Sequence, residues 1–410
     1  MYLYDEWGRL LPPLRPIFAS AGAQPQLSDI VGREGAAAQV WLQVCRSSVT
    51  LNEPRRMGKS SLLSLMSICP PSGWLFLSSS VQGVTGSAEL ARAVLSDLHA
   101  HQSTANRLGA ALREFFVDNE VKVGAGPVDL TLRPTFAQRP LEALEAGLES
   151  VAARLAADRM SLVIAWDEFP DMINAVIEKE GAAQASALLG VLRRIRQKYV
   201  GRVHWLLTGS VGMHHALRRL NHGSSFTTDL DSVPLGPLSP AWARWLAGSL
   251  LLGADFLPTD AKMAELADAT DGIPFLLHLL VRHARDTLLT RGPLAMPTDR
   301  LFGRAIDDMD SSSQATHLLT RLDSHYGEYA PLAEFLLDHI AHEPASRGQL
   351  EQRVSAAGKW QASAAVIGVD RAVQRVLDWL VMDHYVIKDD RHVFSWRYPA
   401  LRRIWGQRRA

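Results

Sequence analysis

Along the first half of the chain, short and almost wholly apolar runs alternate with longer stretches whose apolar residues recur at helical spacing. The runs are Ser48-Val49-Thr50-Leu51, Trp74-Leu75-Phe76-Leu77, Leu162-Val163-Ile164-Ala165-Trp166 and Val203-His204-Trp205-Leu206-Leu207. Runs this short and this continuously apolar fit strands buried on both faces. Helical patterns fill the gaps, over about 34–46, 87–108, 140–158 and 185–198. Strands and helices in alternation predict a parallel sheet covered on both faces, an α/β fold. Residues 120–135, with Gly124, Gly126 and Pro127 between alternating apolar positions, read as an inserted hairpin or loop.

The pattern changes twice further along. Beyond Pro237 amphipathic helices dominate to about Leu322, broken at Gly272-Ile273-Pro274. Near the end, helices are expected around Pro331 to His342, from about Ser346, and across Asp370 to Asp383. A hairpin comes next, Tyr385 to Lys388 and Val393 to Trp396, turning at Asp389 to His392. Three helices and a two-stranded wing in that order read as a winged helix. The expected division is therefore a lead-in over 1–29, a sheet domain over 30–236, a helical domain over 237–322 and a winged-helix domain over 323–410.

Composition narrows the function classes. With 410 residues the chain is too long for one ordinary core. Lys+Arg and Asp+Glu both number 43, so no globally basic nucleic-acid binder is indicated. The two cysteines, Cys45 and Cys69, have no metal-ligand spacing, and a reducing compartment is the simpler expectation. The start of the chain reads as no export signal, and no stretch approaches the roughly 20 apolar residues that span a bilayer. A cytoplasmic protein that does not enter a membrane is expected.

Candidate chemistry gathers where strands end. The first apolar run leads directly into Glu53-Pro54-Arg55-Arg56-Met57-Gly58-Lys59-Ser60-Ser61, and a helix pattern begins there. The pattern G-x-x-x-x-G-K-[ST] uses glycines for close backbone approach to phosphates, Lys for the β- and γ-phosphates, and Ser or Thr for Mg²⁺. Gly58, Lys59 and Ser60 satisfy its second half; Glu53 stands where the first glycine is expected. A second run ends at Asp167-Glu168, where Asp167 would approach Mg²⁺ through water and Glu168 would polarise the attacking water. A third ends at Thr208-Gly209-Ser210, whose hydroxyls would sense the γ-phosphate or form an ordinary strand-to-loop turn. Five arginines, Arg193, Arg194, Arg196, Arg218 and Arg219, are candidates for a finger on a neighbouring subunit or for a solvated helix face. Ser78-Ser79-Ser80 and His214-His215 lack the partners of a hydrolase or a metal site and read as solvated loops.

Taken in order, Ile30-Val31-Gly32-Arg33-Glu34, Pro54 through Ser60, Trp166-Asp167-Glu168, Leu207-Thr208-Gly209-Ser210 and Gly272-Ile273-Pro274 resemble the archaeal-type ATPase branch of the STAND and AAA+ P-loop families. The resemblance extends over nearly the whole chain. It implies a P-loop NTPase sheet, a helical lid and a C-terminal winged helix, with ATP and Mg²⁺ as ligands. It also implies that Val31, Gly32 and Arg33 line the adenine and ribose, and that Pro274 packs near the base. The first loop glycine is not always kept in this branch.

Three functions are expected from these residues. The leading one is a slow ATPase, hydrolysing ATP with water to ADP and phosphate, whose bound nucleotide sets a conformation or an oligomer through the lid and winged helix. The others are a DNA-associated ATPase and a binding-only pseudo-ATPase with a loop altered by Glu53. The expected recognition helix carries mixed charge (Asp370, Arg371, Gln374, Arg375, Asp378, Asp383), which favours homo-oligomer or partner-protein contacts over specific DNA binding. Arg402, Arg403, Arg408 and Arg409 are expected to form a basic tail, and Trp379, Trp396 and Trp405 to pack in the core.

Overall fold

The computed structural model describes residues 3–22, 25–100, 122–123, 130–131, 139–209, 212–220, 224–291, 298–358 and 368–409. The chain forms two compact units: a sheet unit of residues 34–52 and 59–234, and a helical unit of residues 1–33, 53–58 and 235–410.

In chain order the sheet unit runs α1 (Glu34–Val44), β1 (Ser48–Asn52), α2 (Lys59–Ile68), β2 (Trp74–Ser80), α3 (Ser87–Ala100), β3 (Lys122–Val123), β4 (Leu130–Thr131), α4 (Pro140–Ala157) and β5 (Ser161–Asp167). It continues with α5 (Phe169–Glu180), α6 (Ala182–Lys198), β6 (Val203–Gly209), α7 (Met213–Arg218), α8 (Ser224–Thr227) and β7 (Leu230–Ser232). Five strands pair in parallel in the order β2-β5-β6-β1-β7. β6 is buried along its whole length and β5 up to Asp167, which is why both read as continuous apolar runs. Trp166 and Trp205, on these neighbouring strands, meet at 4.9 Å between ring centroids, and Phe169 stacks on Trp166 at 5.9 Å. Each such side chain contributes about 1.5–3 kcal/mol by leaving water.

Strand order gathers the ends that carry the candidate chemistry. β6 lies between β1 and β5, pairing Leu51 with Thr208, Asn52 with Gly209 and Trp166 with Leu207. The carboxyl ends of three neighbouring strands therefore share one edge of the sheet, where open α/β sheets bind their ligands.

Three features of this unit differ from expectation. β2 continues through Ser80, so the serine triplet is strand rather than loop. His214 and His215 lie on α7, with His215 buried. The apolar pattern does not predict β7: its Leu-Asp-Ser is partly exposed and pairs on one side only, so it lacks the signature of a buried strand. β3 and β4 form the antiparallel pair expected within 120–135, whereas Gly124, Gly126 and Pro127 lie outside the described residues.

The helical unit contains α9 (Pro240–Gly253), α10 (Asp260–Ala269), α11 (Pro274–Arg291), α12 (Thr298–Asp310), α13 (Ser313–Thr316), α14 (Arg321–Tyr326) and α15 (Ala330–His342). After these come β8 (Ala345–Ser346), α16 (Arg347–Ala357), α17 (Val369–Met382), β9 (Val386–Lys388), β10 (Val393–Trp396) and α18 (Pro399–Arg409). From α15 to β10 the order of helices and strands is that expected of a winged helix, and β8, β10 and β9 form one antiparallel sheet. Ser346 opens α16 with a capping box closed by Gln349. Trp379, Trp396 and Trp405 are buried, as expected.

The lead-in belongs to the same core: Leu11 and Ile17 are buried, Pro12 O accepts the Trp245 indole N–H (2.6 Å), and Ile17 N–H donates to Ser249 O (2.9 Å). The basic tail proves to be a helix whose arginines largely face acids. Arg403 meets Asp310 at 2.9 Å, and Arg409 meets Asp338 at 2.7 Å and Glu334 at 3.0 Å. Among the described residues no helix is long and apolar enough to cross a membrane.

Candidate functional site

Asp167 is the hub of the sheet unit's carboxyl edge. β5 ends on it, and its two carboxylate oxygens receive three donors. Ser60 Oγ donates to Oδ2 at 2.6 Å, while Thr208 Oγ1 and the Glu168 backbone N–H (3.0 Å) donate to Oδ1. These donors come from the start of α2, the end of β6 and the residue after β5, so the parallel order of the strands brings them together. Ser60 is exposed and Thr208 wholly buried. The carboxylate is thus fixed from the core side by Thr208 and reaches outward to the exposed serine at the start of α2.

Lys59 opens α2, where the helix leaves backbone N–H groups pointing outward and a partial positive charge. It is 6% exposed, a low value for a cation. Ser61, next on the helix, is half-buried. A buried ammonium at a helix N-terminus suits an anion with several oxygens. One hydroxyl and one carboxylate are also the hard oxygen donors that Mg²⁺ takes when most of its ligands are water and phosphate. Ser60 and Asp167 therefore fit the metal that the fold implies.

Glu168 has φ 59°, a left-handed conformation uncommon for a side chain of its size. It occupies the N-cap position of α5 without a side-chain capping bond, with Pro170 in the helix's first turn, and stays half-exposed. Gly209 explains how β6 can end so near this corner: a Cβ there would lie 2.5 Å from Pro170 Cγ. Backbone held this unusually at a strand end is a known mark of functional corners. Ser210 lies outside the described residues.

In the helical unit, residues 53–58 are held by charged side chains. Arg33, 4% exposed, donates from Nη2 to Met57 O (2.5 Å) and Gly236 O (3.0 Å), and from Nη1 to Leu235 O and Pro237 O at 3.4 Å. Glu53 is wholly buried and accepts the Leu235 N–H on Oε1 at 3.1 Å. Arg56 donates to Gly22 O (3.2 Å) and lies over the Phe275 ring at 5.2 Å. Both Arg56 (φ 67°) and Gly58 (φ 90°) adopt positive φ, giving the loop its tight turns. Pro54 and Met57 are buried, Arg55 half-buried; Val31, Gly32 and Pro274 are half-buried.

Sequence reasoning marks Glu53 only as a departure and Arg33 only as a ligand-facing residue. It does not find Leu235, Gly236 or Phe275, although the run Pro234-Leu235-Gly236-Pro237 carries the signature of a rigid turn. Of the finger candidates, Arg194 forms two bonds of 2.8 Å with Glu145, and Arg196 is buried against Asp229. Arg219 meets Asn174 at 3.0 Å and Glu178 at 3.4 Å.

Comparison with solved structures places this architecture among known folds. The Walker-type ATPase PABY2304 of Pyrococcus abyssi is 16% identical, with 93% of this chain and 98% of that one covered at a TM-score of 0.62. The ORC2 protein of Aeropyrum pernix, solved as ADPNP-ADP complexes, is 15% identical, with 95% and 96% covered at a TM-score of 0.51. At these identities the likeness establishes the fold, that of a P-loop NTPase whose sheet is followed by helical and C-terminal parts. No family pattern and no curated protein matches the chain.

Proposed function

We propose that the chain binds ATP with Mg²⁺ and hydrolyses it slowly to ADP and phosphate, as a nucleotide-dependent switch of the STAND and AAA+ type. The observation that carries this reading is the Asp167 carboxylate, which takes the Ser60 hydroxyl at 2.6 Å and is fixed from behind by Thr208. A serine at a helix start and a strand-end acid in one hydrogen-bonded group suit the metal and phosphate end of a nucleotide.

In this reading residues 54–61 cradle the phosphates, with Lys59 drawing charge from the β- and γ-oxygens. Ser60 and Asp167 would hold Mg²⁺, which would supply neutralising charge when bound. Glu168, beside Asp167, orients and polarises the attacking water, and Thr208 keeps the Asp167 carboxylate in register. A sensing role for Ser210 and an adenine-side role for Val31, Gly32, Arg33 and Pro274 belong to the same proposal. So do the boundaries at 30, 237 and 323, and a cytoplasmic location.

For the output, the pairing of Arg403 and Arg409 with acids supports partner-protein, homo-oligomer or intramolecular contacts over DNA. A duplex would compete with those carboxylates for each arginine. Glu168→Gln tests the reading: ATP binding is retained while phosphate release falls by about 10²–10⁴, the range for loss of a general base. Wild-type protein is expected to change its protease sensitivity or size with ATP. Release unaffected by the substitution would remove Glu168 from the chemistry, and binding without any release would favour a pseudo-ATPase.

A further inference from the structure

Glu53 is conspicuous because it stands where the phosphate loop is expected to have glycine, and yet it is wholly buried. Its Oε1 accepts the Leu235 N–H at 3.1 Å. Arg33 strengthens the same seam, holding Met57 O on the loop and the 235–237 carbonyls with one guanidinium. One residue further, Leu238 N–H donates to Gly272 O at 3.0 Å, and Asp271 beside it accepts the Ala400 N–H at 2.6 Å. Arg403, on the same α18, bonds Ala269 O as well as Asp310. The Tyr398 phenol, buried just ahead of α18, lies within electrostatic reach of both Glu53 and Asp271. Its own burial first, and then those two carboxylates, push its ionisation up against the opposing charge of Arg397.

Loop, 235–238 segment, 269–272 turn and α18 are thus linked through successive hydrogen bonds inside one compact unit. We propose that Glu53 is a coupling residue: its carboxylate transmits the state of the phosphate loop to the 235–238 segment and on to α18. The inference rests on the ATP-site reading above and adds to it the route by which the site regulates the C-terminal part. A glycine at position 53 would give the loop its usual turn and would leave the Leu235 N–H without its acceptor. In this chain, bound phosphate cannot reshape residues 53–58 without also altering the hold on Leu235. Each link is a directional bond between buried or half-buried groups, where a lost partner is costly.

Amide hydrogen exchange of the full chain, with and without Mg·ATP, tests this in wild type, Glu53→Gln and Glu53→Gly, with ATP binding measured on the same samples. In wild type, ATP is expected to change exchange at Leu235 and at Ala400. Glu53→Gln keeps the Oε1 acceptor and is expected to keep both responses. Glu53→Gly is expected to speed Leu235 exchange about tenfold without nucleotide, and to lose the Ala400 response while ATP still binds. An unchanged Ala400 response in ATP-bound Glu53→Gly overturns the inference. Should that variant not fold, Glu53→Met at saturating ATP serves instead, since it fills the buried space but removes the acceptor of the Leu235 N–H, with the same loss expected and an unchanged Ala400 response again decisive against the inference. No ATP binding by wild type would instead overturn the site reading on which the inference stands.

Discussion

The two units secure their functional residues in opposite ways. In the sheet unit a partly exposed carboxylate, Asp167, collects short-range donors from strand ends and a helix start, and its neighbours Ser60 and Glu168 keep access to solvent. In the helical unit Arg33 and Glu53 are buried and spend their charge on the backbone, on four carbonyls and one N–H. Residues that meet a ligand must leave a coordination position open. Residues that shape a loop are best engaged from within, because a buried group without a partner costs about 1–3 kcal/mol. Exposure therefore separates the two acids, Asp167 and Glu53, where charge alone does not.

That contrast can be broken or sharpened by substitution. The largest expected effect, the Glu168→Gln loss of phosphate release, would confine chemistry to the sheet unit. Next is Thr208→Val, which keeps shape but removes the donor behind Asp167. Phosphate release is expected to fall about tenfold, as for one charge-assisted hydrogen bond, with the Ala400 exchange response intact. An equal loss of that response would erase the distinction between the units.

The smallest effect concerns pH. His278, on α11, accepts the Ser20 N–H at Nδ1 (3.2 Å), and burial holds its imidazole down at about 4, against an ordinary 6.5. Between these values the unfolded chain binds a proton that the folded one does not. Stability therefore falls as pH drops from 6.5 toward 4, and is fully present above 6.5. The contribution is on the order of 1 kcal/mol after allowance for solvent. Melting curves of wild type and His278→Gln over this window check it: the variant is expected to show the shallower acid decline, and parallel declines would discount His278.

Much of this architecture is legible in the sequence, for a physical reason. Strands buried on both faces, such as β5 and β6, need consecutive apolar residues, and Gly58-Lys59-Ser60 at a strand-helix junction is the local pattern that a phosphate site would require. The winged-helix elements are legible mainly because α15 and α17 have clear apolar faces. β7 and the two-residue β8 are not, since exposed or very short strands leave almost no pattern. The Arg33 and Glu53 contacts are hidden for another reason: they join positions 202 and 182 residues apart, and no local pattern encodes such a pairing. Likewise a cluster of terminal arginines reads as a basic tail until their acid partners on α12 and α15 are located.

The most direct test of the account is calorimetric titration of Mg·ATP into wild type and Lys59→Ala. Wild type is expected to show saturable one-site binding, weakened about a hundredfold or more in the variant, as for losing a buried charge-assisted contact. Equal binding by both, or none by wild type, would contradict a phosphate site at the start of α2.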